Sequence, residues 1–253
     1  MSETLLELKQ LTLRYGGVHA LEDISLRLPV GGITGLIGPN GAGKTSLFNV
    51  ITGFSRPSRG EVHYAGQRID GLPVPQIARQ GIARTFQNLR VFPGMTVFDN
   101  VSIGALSQQR FGWRALWSRK QHSAQAVSAA TWAALRRTGL DGLAFELAAN
   151  LSYGKRKYLE IARALALQPG LLILDEPAAG LNDSETAALA DFLRQLSQEG
   201  LSLLLVEHDL SLVKKICDRV LVLSSGRLLA EGSPEQVMRD PAVITSYLGS
   251  EEA

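Results

Sequence analysis

The sequence predicts an α/β fold with a helical insert, and three observations point to it. Apolar runs typical of buried strands occur at Leu5–Leu13, Ile33–Ile37, Leu171–Leu174, Leu203–Val206 and Val220–Leu223. Segments with helical periodicity separate these runs. Between Phe98 and Leu167 no convincing strand occurs, and the stretches "HSAQAVSAATWAALRRTGL" and "GKRKYLEIARALALQ" predict helices instead.

This pattern divides the chain into a core, an insert and a tail. We expect the α/β core to comprise residues 1–88 and 161–232, and the helical insert residues 89–160. The tail, residues 233–253, follows Gly232, reads "SPEQVMRDPAVITSYLG" and then ends in acidic residues. Two prolines in it predict two short helices that begin at or next to them.

Length and composition exclude several classes of protein. The 253 residues suffice for one large domain or two closely packed ones. A formal net charge of +2 argues against a dedicated nucleic-acid binder. The single Cys217 excludes an internal disulfide, and the N-terminus resembles no signal peptide, so we expect a cytosolic location. No apolar run approaches the roughly 18–20 residues that cross a bilayer.

A glycine-rich loop follows one predicted strand. "GPNGAGKTS" lies between the strand "GITGLI" and the helical "LFNVITGF", the context of a Gly-x-x-x-x-Gly-Lys-[Ser/Thr] phosphate loop. Its backbone N–H groups would surround a polyphosphate, Lys44 would reach the β- and γ-phosphates, and Thr45 would ligate Mg²⁺. The predicted nucleotide-binding residues are Gly38, Pro39, Asn40, Gly41, Ala42, Gly43, Lys44, Thr45 and Ser46.

Two further strands end in ionisable residues. "LLILDEP" ends in Asp175, which would hold Mg²⁺ through water, and Glu176, which would polarise an attacking water as general base. "LSLLLVEHD" ends at His208, a titratable group at a second strand end. We expect the other histidines to be structural or solvated; they are His19, His63 and His122.

An unusual helix start occurs in "NLSYGKRKYLEIARALAL", whose first predicted turn carries Lys155, Arg156 and Lys157. Cations near a helix N-terminus are unfavourable by roughly 0.3–1 kcal/mol each. From these residues alone, two interpretations remain open. The three side chains extend into water, or an anion binds there beside the Ser152 hydroxyl and Gly154.

Four motifs, in their order and spacing, resemble ABC-transporter ATP-binding subunits over almost the whole chain: Gly38–Thr45, "LSYGK" at Leu151–Lys155, "LILDEP" and the His208 strand end. The resemblance implies a P-loop NTPase core with a mixed sheet, an N-terminal antiparallel β subdomain and an inserted helical subdomain. It implies an ATPase that uses ATP and Mg²⁺ and forms a head-to-tail dimer. Ser152, Gly154 and Lys155 would then meet the γ-phosphate held by the partner chain.

The resemblance assigns further residues. Tyr15 would stack on adenine, Gln87 would sense Mg²⁺ and the attacking water, and His208 would contact the γ-phosphate. From the residues alone, a core aromatic at Tyr15 and an ordinary loop amide at Gln87 remain alternatives.

Three positions depart from the family pattern. Tyr153 and Lys155 replace a Gly and the Gln of Leu-Ser-Gly-Gly-Gln, so Tyr153 must point away from phosphate, and Asn182 stands where Asp is usual.

One branch of the family is particularly similar. "GIARTFQNLRVFPGMTVFDNV", "LSYGKRKYLEIARAL", "DEPAAGLNDSET" and "DPAVITSYLG" resemble ATP-binding subunits of bacterial branched-chain amino-acid importers. The resemblance implies a peripheral position at the cytoplasmic face of the plasma membrane. Its partners would be membrane permease subunits, a second related ATP-binding subunit (a heterodimer more than a homodimer) and, indirectly, a periplasmic substrate-binding protein, with no nucleic acid.

Other functions remain open from the sequence. Related importers carry urea, amides or aromatic acids, and soluble ABC ATPases serve DNA repair or translation. The soluble enzymes usually add a coiled coil or a second ATPase module, and neither fits in this chain. A nucleotide-binding regulator without turnover would be expected to lack Glu176 or His208, and the sequence has both.

Two segments are candidates for contact with a partner. In "QQRFGWRALWSRK", aromatic and basic residues alternate, which indicates either core packing with a solvated basic face or contact with a permease or anionic lipid. "RVFPGM" is the second, with Arg90, Phe92 and Met95 as candidates for the permease-docking side of the insert. The alternative for "RVFPGM" is an ordinary packed loop.

Overall fold

The computed structural model describes residues 3–107 and 120–248. The chain forms two compact units, which we call the core unit (Met1–Ile77 with Ile173–Ala253) and the helical unit (Ala78–Leu172). The strands are β1 Thr4–Tyr15, β2 Val18–Pro29, β3 Ile33–Ile37, β4 Arg59–Tyr64, β5 Gln67–Arg68, β6 Ile82–Arg84, β7 Leu171–Asp175, β8 Ser202–Val206, β9 Arg219–Ser224 and β10 Arg227–Gly232. The helices are α1 Lys44–Ile51, α2 Val74–Gln80, α3 Val97–Ser107, α4 Lys120–Arg137, α5 Tyr153–Leu165, α6 Asp183–Gln198, α7 Leu210–Ile216, α8 Pro234–Met238 and α9 Pro241–Leu248.

The predicted elements are confirmed, with one shifted boundary. The five apolar runs lie in β1, β3, β7, β8 and β9, and the two periodic stretches lie in α4 and α5. The proline-started helices of the tail are α8 and α9. The helix after the glycine-rich loop begins at Lys44 rather than at Leu47, so the end of the loop motif forms the first helical turn. The side chains of the segment from Arg110 to Lys120 lie outside the described residues.

The core unit contains an antiparallel sheet in the order β2-β1-β4-β5. β1 and β2 form a hairpin closed between Tyr15 and Val18, with Gly16 at a φ of 58° in the turn. The apolar side chains of the hairpin that are buried are Leu5, Leu6, Leu8, Leu11, Leu13, Leu21, Ile24, Leu26 and Leu28. This sheet is the antiparallel β subdomain that the resemblance implies.

The larger sheet of the core unit has the order β10-β9-β3-β8-β7. β3 pairs in parallel with both β8 and β9, while β10 pairs antiparallel to β9, so the sheet is mixed. All five residues of each of β3, β7 and β8 are buried, which explains their continuous apolar sequences. The glycine-rich loop follows β3, the acids end β7, and His208 follows β8.

The helical unit consists mainly of α3, α4 and α5, with β6 beside the first residues of β7. A buried amide organises its start, because the Asn100 side chain accepts the N–H of Phe92 at 2.8 Å and donates to the Phe92 and Thr96 carbonyls. Phe98, Trp132 and Phe145 form an aromatic cluster with ring centroids 5.3–6.4 Å apart. None of the helices in the described ranges is long and apolar enough to cross a membrane.

Helices α3 and α5 approach each other so closely at Gly104 that a larger residue would not fit. A Cβ at Gly104 would lie 2.0 Å from the backbone carbonyl oxygen of Arg163. We expect Gly104→Ala to destabilise the protein by about 2 kcal/mol, since the helices would have to separate. Thermal melting should show a midpoint lower by roughly 4–8 °C.

Gly142→Ala is the matched control for this prediction. A Cβ at Gly142 would meet no atom within 4 Å, so its melting temperature should stay close to that of the parent. Equal midpoints for the two alanine variants would contradict the close approach.

Candidate active site

The glycine-rich loop leaves β3 and enters α1, and the first turn of this helix has no side-chain cap. Gly38 has a φ of 149°, and a Cβ there would lie 2.1 Å from the carbonyl oxygen of Leu223. Gly43, at a φ of 102°, precedes α1, and no side chain caps the helix. The first N–H groups of α1 therefore remain available to an anion.

The loop residues differ in exposure. Asn40, Gly41 and Thr45 are exposed, Pro39, Gly43 and Ser46 are half-buried, and Gly38, Ala42 and Lys44 are buried. The Lys44 ammonium donates to the carbonyl oxygens of Gly38 at 2.7 Å and Pro39 at 3.0 Å. Desolvation lowers the pKa of Lys44, while the charges of Glu176 and Asp175 oppose this shift. The ammonium thus lies inside the loop and within electrostatic reach of both acids.

The strand end at β7 holds its acids in different environments. Asp175 is buried, at 7% exposure, whereas Glu176 is half-buried. Glu176 has a φ of 49°, a left-handed conformation that costs a residue with a side chain of the order of 1 kcal/mol or more. Its N–H donates to the Val206 carbonyl at 3.0 Å, which ties the turn to β8. The strained turn therefore directs the Glu176 carboxylate toward the residues that follow β8.

Glu176 and His208 form a pair. Nε2 of His208 lies 3.1 Å from Oε1 of Glu176. An ionised carboxylate only accepts hydrogen bonds, so with Glu176 ionised the proton is on Nε2, which donates. The sequence places these residues 32 positions apart, and the adjacent ends of β7 and β8 bring them together. A carboxylate held beside an imidazole is an arrangement suited to moving a proton.

The donor set suits Mg²⁺ bound together with phosphate. Among the described residues no group of three or more His, Cys, Asp or Glu side chains could hold a metal. Mg²⁺ commonly takes only one or two protein ligands and completes its shell with water and substrate phosphates. The exposed Thr45 hydroxyl and the Asp175 carboxylate fit that pattern.

Tyr15, at the end of β1, has its side chain on the surface. It is 51% exposed, and its hydroxyl is 2.8 Å from Oγ of Ser55. The alternative interpretation of Tyr15 as a core aromatic is therefore wrong. An exposed ring on the core unit leaves a face for a planar base.

In the helical unit, Gln87 is exposed and lies in a loop held by α5. The buried Glu160 carboxylate accepts the N–H of Phe86 at 3.4 Å and lies 3.9 Å from the Arg163 guanidinium. Burial raises the pKa of Glu160, and Arg163 and backbone N–H groups partly offset this. The segment beside Gln87 is thus attached to α5 through one acid.

The three cations at the start of α5 fit neither sequence-based interpretation as a group. Arg156 donates to the carbonyls of Leu151 at 3.0 Å and Ala149 at 2.7 Å, and Lys157 is buried, in the second helical turn. Only Lys155 of the three is exposed. Neither interpretation holds for Arg156 and Lys157, because both side chains have intramolecular positions, and both interpretations stay open for Lys155.

Ser152 caps α5, and Gly154 is buried. The Ser152 hydroxyl oxygen accepts the N–H of Lys155 at 3.4 Å. A hydroxyl has a proton to donate besides its lone pairs, so this cap leaves Ser152 a donor. Tyr153 is 46% exposed, and the Lys157 ammonium lies 5.7 Å from its ring centroid.

The sequence did not reveal the structural roles of Asn182, Glu185 and Glu207. Asn182 caps α6 by accepting the N–H of Glu185, whose carboxylate accepts the N–H of Asn182 in return. Asn caps a helix as well as Asp, so this departure from the family pattern is accommodated locally. Glu207 is the third of these residues. A buried acid that is bonded to backbone groups produces no periodic pattern in the sequence, so its role could not be predicted.

Comparison with known proteins assigns the chain to a family. A family model described as ABC transporter matches residues 21–179, more than half of the chain. The chain belongs to the ABC transporter family. It is therefore a nucleotide-binding cassette and an ATPase that couples hydrolysis to transport. A second family model, described as branched-chain amino acid ATP-binding cassette transporter, matches residues 227–253.

Individual relatives cover this ABC protein almost completely. It is 44% identical to the high-affinity branched-chain amino acid transport ATP-binding protein LivG of Escherichia coli K12, over 98% of the chain and 99% of LivG. It is 40% identical to BraF, of the same description, from Pseudomonas aeruginosa, over the same shares. The solved ADP conformation of MJ1267, an ATP-binding cassette of an ABC transporter, matches with a TM-score of 0.85 and 30% identity, over 97% and 99% of the two chains. The predicted fold is thereby confirmed.

Proposed function

We propose that this chain is the ATP-hydrolysing motor subunit of a bacterial importer for branched-chain amino acids, bound peripherally at the cytoplasmic face of the plasma membrane. The observation that carries the cargo assignment is the 44% identity to LivG over nearly the full length of both chains. The match of residues 227–253 to the branched-chain amino acid family supports the same branch.

We infer a division of labour along the chain. Residues 1–88 and 161–232 bind and hydrolyse ATP, residues 89–160 carry the Ser-x-Gly helix start and the docking surface, and residues 233–253 form the tail. In the core, Tyr15 stacks on adenine, and Lys44 exchanges its loop carbonyls for phosphate oxygens. The buried position of the Lys44 ammonium between loop and acids supports this.

Hydrolysis in this proposal depends on the pair at the strand ends. Glu176 accepts the proton of the attacking water, and His208 turns its Nε2–H from Glu176 toward the γ-phosphate. Thr45, Asp175 and Gln87 would hold Mg²⁺, directly or through water, and the bound ion would neutralise charge on the phosphates. The 3.1 Å contact between Glu176 and His208 supports the pairing.

In the dimer that we propose, Ser152, Gly154 and Lys155 of one subunit face the γ-phosphate on another. The free hydroxyl proton of Ser152 and the exposed ammonium of Lys155 suit an anion, and Gly154 allows close approach of the backbone. The second ATP-binding subunit is a related chain or another copy of this one.

Lys155→Glu tests this arrangement. We expect it to weaken ATP-driven dimerisation by about 10-fold or more, since a carboxylate would face phosphate, while ATP binding to the monomer changes by less than about 2-fold. Dimerisation is measured by analytical ultracentrifugation with ATP, in the Glu176→Gln background to prevent turnover.

Arg136→Glu is the control, because it makes the same charge reversal at an exposed position of the helical unit. It should leave dimerisation unchanged. Equal effects of the two reversals would return Lys155 to an ordinary surface position.

The cargo is tested by transport. The chain and the permease subunits that co-purify with it are reconstituted in vesicles together with the periplasmic binding protein. ATP-dependent uptake of leucine, isoleucine and valine is then compared with uptake of urea, amides and aromatic acids. Uptake confined to urea, amides or aromatic acids would reject the branched-chain assignment.

A further inference from the structure

Glu207 lines the same cavity as Glu176 and His208, the two functional residues of the hydrolysis site, and takes no part in the chemistry proposed for them. It follows β8 and precedes His208, and only 5% of its surface is exposed. Its Oε1 accepts the backbone N–H of Ala178 at 2.9 Å, and the backbone N–H of His208 also bonds to its carboxylate. One buried side chain is therefore bonded both to the turn after Glu176 and to the residue that pairs with Glu176.

The turn that Glu207 holds needs support. Glu176 is in the left-handed region, and such strain persists only where the surroundings over-determine it. Two backbone bonds contribute, from Glu176 N–H to Val206 O and from Ala179 N–H to Glu176 O. The bond from Ala178 to Glu207 is a third, and it is made by a side chain, so substitution can remove it alone.

The position of Glu207 is electrostatically unfavourable, which argues against a residue present only for stability. Burial raises the pKa of its carboxyl, and the nearby charges of Glu176 and Asp209 raise it further, against the two backbone N–H donors. A cavity of about 450 Å³ lined by Glu176, Ala178, Glu207 and His208 adjoins the group, so packing alone does not fix the turn.

We propose that Glu207 is a positioning residue for ATP hydrolysis, whose carboxylate joins the turn of Glu176 to the backbone of His208 and so sets the geometry of the Glu176–His208 pair. The proposal rests on the proposed function of that pair. A small displacement of a catalytic group lowers the rate while substrate binding at a separate loop is unaffected.

Glu207→Gln tests the proposal, because the amide keeps the shape but offers one acceptor atom in place of two. We expect kcat to fall by about 10-fold or more, with the KM for ATP within about 2-fold of the parent. In a His208→Ala background the same substitution should lower kcat much less, since the pair is already broken. A role in stability alone would give the same factor in both backgrounds.

Asp218→Asn is the matched control. The Asp218 carboxylate accepts the Ile33 N–H at 2.7 Å, at the end of β3 opposite Gly38, so the same chemical change there should leave kcat unaltered. A parental kcat for Glu207→Gln, or equal factors in the two backgrounds, would overturn the proposal. If Glu207→Gln does not fold, Glu207→Asp, whose shorter side chain cannot reach both N–H groups, replaces it with the same expected results.

The outcomes separate this proposal from the proposed function. Glu176→Gln is assayed in parallel, and parental turnover in that variant would reject the catalytic pair itself. Loss of turnover in Glu176→Gln together with a parental kcat in Glu207→Gln would reject only the positioning role.

Discussion

Replacing Glu176 by glutamine is expected to lower ATP turnover by at least about 100-fold, the scale of a lost general base. The amide cannot accept a proton from the attacking water. Its oxygen can still accept the Nε2–H of His208, so the side chain should keep its place at 3.1 Å from the ring. ATP affinity should remain within about 2-fold of the parent, because the binding loop is unchanged.

Phosphate release gives the turnover, and titration with a fluorescent ATP analogue gives the affinity. Glu22→Gln is the control, since the Glu22 carboxylate lies at the surface, 2.8 Å from the Arg227 guanidinium and 4.0 Å from the His19 ring. It should hydrolyse ATP at the parental rate. Unchanged turnover in Glu176→Gln would remove Glu176 from the mechanism and leave the strained turn without a catalytic purpose.

The sequence predicted the strands that are buried on both faces, because a short continuous apolar run between turn residues, such as that of β3, is typical of a central strand. It did not predict β2, although this strand has 12 residues. Irregular pairing of β1 with β2 and left-handed residues at Gln10 and Asp23 break the two-residue period by which such a strand is recognised. β10, half exposed at a sheet edge, likewise lacks an apolar run.

The site divides in a similar way. Groups that would bind ligand sit at strand ends and in a glycine-rich loop, and these positions are visible in the sequence. The residues that hold these groups in place are not visible in the sequence. Glu207 and Arg156, for example, bond to backbone atoms that come close to them only in the folded chain. The sequence therefore indicates which residues carry the chemistry of the site better than it indicates which residues support them. For Arg156 and Lys157 it suggested an exposed or anion-binding role that the structure does not show.

The segment "RVFPGM", the candidate for permease docking, presents an aromatic ring on the surface of the helical unit. Phe92 is 47% exposed, with the Arg163 guanidinium 5.8 Å from its ring centroid. Its backbone N–H and carbonyl are both bonded to the Asn100 side chain, which is fully buried. The ring is thus held outward by a buried support. Among the described residues of the helical unit, the other exposed large apolar side chains are Phe145 at 78%, Tyr153 at 46%, Leu147 at 45% and Leu106 at 43%.

If a permease docks on this surface, Phe92→Ala should uncouple transport from hydrolysis. Loss of an aromatic anchor costs about 2 kcal/mol at a protein interface, so uptake should fall roughly 30-fold. Basal ATPase activity and melting temperature should stay near parental values, because an exposed ring contributes little to stability. Arg90→Ala and Met95→Ala test the neighbouring candidates in the same vesicle assay.

Two controls distinguish docking from simple packing. Asn100→Ala removes the buried support and should lower stability, hydrolysis and uptake together, since the Phe92 N–H loses its acceptor and the Phe92 and Thr96 carbonyls lose the amide donor. Leu229→Ala truncates an exposed apolar side chain of the core unit and should leave uptake unchanged.

Uptake of branched-chain amino acids, ATP hydrolysis and thermal melts are measured for each variant. If Phe92→Ala behaves like Asn100→Ala, with all three quantities reduced in parallel, the segment is a packed loop and the permease docks elsewhere. Selective loss of uptake would place the interface at Phe92.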